Sequence, residues 1–234
     1  DDATEPANLL PHADMAMYDA KHNGRNCFRF FTQKIAETLH ERQRIEKGLR
    51  NALTQELFSL VYMPIFDCKD NTVVAVEVLL RCQSPELEGH GPDQFIPVAE
   101  ATGLIKEIDL WVIKNALQAL VILQTEHDFR GKICINISGV ELHNEQFPAQ
   151  VKSLLSHHKI APENVELEVT ETAFVAGDTT CLGTLRALDE LGVSLALDDF
   201  GTGYTAFTQL IHYPADCLKI DRSFVNDLFS EREA

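Results

Sequence analysis

Between Leu57 and Asp221 the apolar residues change their period again and again, and this switching limits the folds open to the chain more than any other property. Apolar runs near 59–65, 73–80, 132–138, 165–170, 193–198 and 217–220 read as strands, and segments of helical spacing separate them. In one such segment Ile105, Ile108, Val112, Ala116, Ala119, Leu120 and Leu123 line a single helical face; Phe147, Val151, Leu154 and Leu155 line the next. Leu182, Leu185, Leu188 and Leu191 form a third, which Gly192 ends as a C′ glycine would. Strands alternating with helices predict an α/β fold with a parallel sheet, either open and doubly wound or closed as a TIM-type (β/α) barrel. Periodicity leaves both open. No GxGxxG or GxxxxGK[ST] follows a strand, which counts against the dinucleotide-binding version of the open sheet. With 234 residues, 45% of them hydrophobic, one large domain plus a fragment can be buried.

The charge balance narrows the partners. Lys and Arg total 20 against 36 Asp and Glu, a net charge of -16, which argues against wrapping duplex nucleic acid through its phosphates but allows a small nucleotide held by metal ions. The longest apolar stretches, such as 72–76 and 117–123, fall well short of the roughly 18 residues of a membrane span, and a cytoplasmic location is expected. The six cysteines form no CxxC pair and the nine histidines no HExxH, so neither zinc nor a disulfide framework is expected. From Gln33 to about Gln55, charges alternate around Ile35, Leu39, Ile45 and Leu49, the pattern of a solvated connecting helix over 32–55.

Five of the strand candidates carry polar groups at or near their C-terminal halves, where TIM barrels build active sites. Glu77 interrupts an apolar strand with Arg81 four residues on and facing the same side, so the two either share a site or form a buried ion pair. Asn136 shares a strand face with Cys134 and Ser138, where its amide can satisfy a neighbour or ligate a hard cation. Glu166, Glu168 and Thr170 alternate along the next strand, with Glu171 at its end; a solvated outer face competes with a site. Asp198 and Asp199 close another apolar run ahead of Gly201 and Gly203, and adjacent carboxylates repel unless something positive lies between them. Two divalent cations would supply that charge; a solvated turn at the strand end is the plainer reading. Lys219, two residues before Asp221 on the same face, either pairs with that acid or steadies charge on a transferring phosphate.

Taken in order, Glu-Val-Leu-Leu-Arg (77–81), Asn-Ile-Ser (136–138), Glu-Val-Thr-Glu (168–171), Asp-Asp-Phe-Gly-Thr-Gly-Tyr (198–204) and Lys-Ile-Asp (219–221) resemble the motifs of EAL domains, as does Phe-Ile-Pro-Val-Ala-Glu (95–100). The resemblance implies a TIM-like barrel over 56–234 that hydrolyses cyclic di-GMP to pGpG with Mg²⁺ or Mn²⁺. It implies that Glu77, Asn136, Glu168 and Asp198 ligate metal, that Asp199 serves a second ion, and that Lys219 positions the attacking water. Arg81 and Leu79 would contact the substrate, and Glu171 would brace the loop 200–207, which in the family couples metal binding to dimerisation. Residues 1–31, with Ala13, Asp14, Tyr18, Ala20, Lys21, Gly24, Arg25 and Asn26, resemble the closing segment of a GGDEF (diguanylate cyclase) domain; its signature is absent.

The sequence departs from the family at Val78, where alanine is usual, at Met63 for glutamine and at Cys82 for tryptophan. The family also continues past Lys-Ile-Asp with two more strands bearing a metal-binding glutamate and a late glutamine, so the expectation is a fragment or a chain that completes its barrel with a second copy. A degenerate domain that binds cyclic di-GMP without cleaving it is the competing expectation.

Overall fold

The computed structural model describes residues 6–22, 26–173, 178–201 and 213–229. They form two compact units, one of residues 1–57 with 83–102 and the other of residues 58–82 with 103–234.

The second unit holds all six strands: β1 (Phe58–Phe66), β2 (Val73–Cys82), β3 (Lys132–Asn136), β4 (Val165–Thr170), β5 (Ser194–Phe200) and β6 (Cys217–Ile220), hydrogen-bonded in that order. Sequential order without a reversal is how a TIM-like sheet winds, and it removes the doubly wound alternative, whose strand order turns back on itself. One expectation is corrected here. β1 and β2 run antiparallel, because only residues 67–72 join them and a parallel crossover needs a dozen or more. Asp67 closes that turn, its carbonyl accepting from the Asn71 N–H at 2.9 Å, and Asn71 takes the left-handed conformation at φ 59°. The remaining neighbours pair in parallel.

Each strand has two different faces, as its period of two requires. Ile133, Ile135, Leu167, Val169, Leu195 and Leu197 are buried on one face. Burying each such side chain is worth about 1.5–3 kcal/mol, so this face fixes the register. The alternate positions, Lys132, Cys134, Asn136, Glu166, Glu168, Ser194, Asp198 and Lys219, fall on the other. Among the described residues, helices α4 (Ile105–Glu126), α5 (Phe147–His158), α6 (Thr179–Leu191) and α7 (Arg222–Phe229) belong to the same unit. The buried face of α4 adds Asp109, Ile113 and Leu117 to the stripe expected from spacing, while Ala119 and Leu123 are only half-buried. Asp178 caps α6 by accepting from the N–H groups of Thr180 and Cys181 at 2.9 and 3.0 Å, and Gly192 ends that helix at φ 92°.

The first unit contains α1 (Pro6–His22), α2 (Gln33–Thr54) and α3 (Pro92–Thr102). α2 covers the range expected for the connecting helix and buries Ala36, Ile45, Gly48, Leu49 and Ala52, its other positions being exposed or half-buried. At Gly48 a Cβ would sit 2.8 Å from Leu87 Cγ, so the turn over Pro85–Leu87 approaches α2 where the side chain is missing.

Candidate functional site

Lys219 on β6 reaches across the polar face of the sheet to three strands. Its Nζ donates to Glu168 Oε2 at 2.6 Å on β4 and to Asp198 Oδ2 at 3.3 Å on β5, and lies 3.5 Å from Glu77 Oε2 on β2. From β3, Asn136 Nδ2 donates to Glu77 Oε1 at 3.0 Å, which leaves the amide oxygen available. The sheet thus brings together Glu77, Asn136, Glu168, Asp198 and Lys219 from five strands. Two of the plainer readings fail: Glu168 is 1% exposed and Glu166 is buried, so β4 has no solvated acidic face, and Lys219 pairs with none of Asp221's oxygens; Asn136 does satisfy a neighbour, and Asp199 is exposed as a solvated turn would leave it. Asp221 instead accepts from the Ser223 N–H at 2.8 Å.

Asp199 joins this cluster through an irregularity. The ladder between β5 and β6 shifts between Leu197 and Phe200, and Asp199 adopts φ 53°. Such a break re-aims a side chain that regular alternation would send to the opposite face. Asp199 consequently feels Asp198, Asp221 and Glu77, and burial followed by that repulsion raises its carboxyl above the usual range. Burial pushes Glu168 up to about 7, its hydrogen bond and attraction to Lys219 opposing the shift and Glu77 and Asp198 adding to it. At Lys219 burial works against the charge, yet the bond to Glu168 and the surrounding carboxylates hold the ammonium above its ordinary range.

Four carboxylates sharing one ammonium, among the described residues, leave excess negative charge, and Glu168 Oε1 is buried with no hydrogen-bond partner. A buried anionic oxygen in that state is costly unless a cation meets it. The oxygen-only donors Glu77, Asn136, Glu168, Asp198 and Asp199 suit hard divalent cations. A second grouping, Cys134 with Glu166 and Glu168, places possible ligand atoms within 4.8 Å of one another. Burial and the neighbouring acids raise the Cys134 thiol strongly, and it donates to Glu166 Oε1 at 3.6 Å, which disfavours the thiolate that a metal ligand needs.

A family model described as the EAL domain matches residues 46–234. The chain belongs to the EAL domain family. It is 38% identical over 222 residues to the biofilm architecture maintenance protein MbaA of Vibrio cholerae, covering 95% of this chain and 28% of that protein. It is 35% identical over 227 residues to the cyclic di-GMP phosphodiesterase NbdA of Pseudomonas aeruginosa, covering 97% of this chain and 29% of that protein. The chain therefore spans less than a third of these curated relatives. Among solved structures, the PaMucR phosphodiesterase in complex with c-di-GMP superimposes with a TM-score of 0.73 at 34% identity, over 80% of this chain and 76% of that one.

Within this EAL domain, Arg81 forms no buried pair with Glu77. It is exposed and donates to the Leu80 carbonyl at 2.8 Å. Met63 lies opposite Glu77 and Val61 opposite Leu79 in the β1–β2 register, so both apolar residues border the polar cluster. Val78 points the other way and is buried, away from the ligand face. Glu171, 2% exposed, accepts from the Gly201 N–H at 2.8 Å, and Gly201 has φ 99°. Beyond Gly201, the loop expected to be braced lies outside the described residues to 212. Two buried acids, Asp109 and Glu141, escaped the reading of the sequence.

Proposed function

We propose that this domain hydrolyses cyclic di-GMP to linear pGpG with the help of divalent cations. The observation that carries the reading is the cluster of Glu77, Asn136, Glu168, Asp198 and Lys219 at the strand ends, in which one ammonium faces several carboxylates. In the reaction a water oxygen forms a bond to phosphorus as the bond from phosphorus to the 3′ oxygen breaks, and the proton lost by the water balances the one gained by the 3′ hydroxyl. Mg²⁺ or Mn²⁺, when bound, would activate the water and stabilise the leaving oxygen. Glu77, Asn136, Glu168 and Asp198 would hold the first ion, and Asp199 would serve the second.

The bond to Glu168 and the surrounding carboxylates favour the charged form of Lys219. Lys219 therefore orients the water and offsets charge on the phosphate rather than accepting a proton. Arg81, whose guanidinium keeps further donors after its bond to Leu80, would bind a substrate phosphate. Leu79 would give the nucleotide an apolar contact on the same face. Glu171 would brace the loop after β5, and through it a homodimer. The substitution of Val78 for alanine removes no ligand, since the side chain faces away from Glu77.

The alignment with MbaA takes in 95% of the chain and so reaches ahead of residue 46, consistent with residues 1–31 being the tail of a GGDEF domain and 32–55 a connector. The chain is also 35% identical over 223 residues to the bifunctional diguanylate cyclase/cyclic di-GMP phosphodiesterase MucR of Pseudomonas aeruginosa, covering 94% of this chain and 32% of that protein. Incubation with cyclic di-GMP, with and without Mn²⁺, and chromatography of the products tests the reading. Metal-dependent pGpG supports it, nucleotide retained uncut turns the domain into a receptor, and neither outcome leaves it without a nucleotide function.

A further inference from the structure

Asp109 sits in the second turn of α4, between Ile108 and Val112 on a buried face, and is 5% exposed. A carboxylate there is costly unless it is hydrogen-bonded. The helix dipole does not account for it, because its favourable effect on acids is confined to the first turn, which Glu107 already occupies. Asp109 Oδ2 instead accepts from the backbone N–H of Ser138 at 3.0 Å. Ser138 lies two residues after Asn136, just past the end of β3.

Three of the N–H groups that follow Asn136 are engaged. Ile137 donates to the Glu168 carbonyl at 2.9 Å, Ser138 to Asp109, and Val140 to the Ser138 hydroxyl at 3.1 Å. Of these acceptors only the Asp109 carboxylate comes from a helix, so it ties the turn to a rigid element outside the sheet. A charged acceptor on a backbone N–H makes a strong and directional bond. The arrangement repeats at β5, where the buried Glu171 accepts from the Gly201 N–H two residues after Asp199.

We propose that Asp109 is a positioning residue for Asn136: by holding the Ser138 amide it fixes the turn after β3 and aims the Asn136 side chain at Glu77 and the metal. This rests on the metal-dependent reading above. The contact that carries this role is the one from the Ser138 backbone N–H to the Asp109 carboxylate.

The test compares the wild-type chain with Asp109→Ala, Asp109→Leu and Asp109→Asn. Leucine keeps the apolar surroundings of α4 filled and supplies a folded variant without an acceptor, whereas asparagine keeps an acceptor oxygen. Mn²⁺ binding is measured by calorimetry, and amide exchange is followed over residues 132–142. The expected result is a loss of about ten-fold or more in Mn²⁺ affinity for the alanine and leucine variants, with faster exchange at Ser138. Asp109→Asn should remain within about three-fold of wild type in affinity. Unchanged Mn²⁺ affinity and exchange in Asp109→Leu would overturn the proposal, as would an asparagine variant no better than leucine. Failure of the wild-type chain itself to bind Mn²⁺ would instead remove the metal-dependent reading, a result visible before any variant is compared.

Discussion

Two polar layers lie on the same face of the sheet, and they are resolved in opposite ways. Nearer the start of the strands, Lys132 donates to Ser194 Oγ at 2.6 Å and lies 3.5 Å from Glu166 Oε2, while the Cys134 thiol turns to Glu166 Oε1. One acid meets one base there, and the layer is complete in itself. At the strand ends, among the described residues, Lys219 alone faces Glu77, Glu168, Asp198 and the nearby Asp199, and a buried oxygen of Glu168 is left over. Carboxylates and ammonium groups thus build a structural layer where charges balance and, on the proposed reading, a cation-accepting one where they do not. Local charge deficit, rather than the number of acids, separates the two.

The largest effect that would sharpen this contrast is at Lys219. Lys219→Met should lower turnover of cyclic di-GMP at saturating Mn²⁺ by roughly a hundred-fold or more, the usual loss when a preorganised donor is removed. Mn²⁺ binding by the same variant should persist, because the carboxylates lose their only competing cation among the described residues. Glu168→Gln should do the reverse to the metal, weakening Mn²⁺ binding in calorimetry at least ten-fold, about what even indirect support of a metal ligand is worth. Because burial raises the Glu168 carboxyl to about 7, the metal-free variant should also unfold at a higher temperature than wild type at pH 8. A lower temperature would break the contrast.

Glu141 offers a smaller test, since it is fully buried with an amide partner, Asn144, instead of an ammonium in contact. Its Oε1 has no hydrogen-bond partner, and burial raises the carboxyl above the usual range, with the Asn144 bond and distant Lys106 opposing. The fold therefore holds a proton that the unfolded chain releases, so stability falls as pH rises from the ordinary carboxylate range through the folded value. Glu141→Gln should add on the order of 1 kcal/mol at pH 8 and nothing near pH 4, as read from urea melts at the two values. The smallest change is expected in the balanced layer. Glu166→Gln should cost no more than about 1 kcal/mol, because the Lys132 side chain is 39% exposed, and should leave turnover within about three-fold of wild type. A hundred-fold loss there would erase the distinction between the layers.

Much of this was legible in the sequence. All six strands lie where the apolar runs placed them, because a two-faced strand writes its alternation directly into the chain. The polar residues at positions 77, 136 and 219 stood out because each interrupts a largely apolar run, whereas 168 lies in an alternating strand and 198 closes an apolar one. The direction of β1 did not stand out, since direction resides in the length of the 67–72 connection and not in the strand itself. Asp109 was hidden for a different reason. Its spacing from Ile105, Val112 and Ala116 puts it on the buried stripe of α4, but an acid on a charged helix is ordinarily read as solvent-facing. The acid on a buried stripe was the available signal. The partner of Arg81 could not be read at all, because a long flexible side chain is not fixed by the strand that bears it.

The left-handed turn of the backbone at Asp199 has a consequence for how this chain tolerates insertions and deletions. Regular pleating would send consecutive acids to opposite sides, one to the helices and one to the cluster. Inserting a single residue between Leu197 and Asp198 would move Asp198 by one position in the pleat and strand its carboxylate among the apolar contacts of β5, even with both aspartates retained. In this stretch chain length is itself a specification, and spelling the right letters with the wrong count would give a sheet that pairs well and a cluster that never assembles.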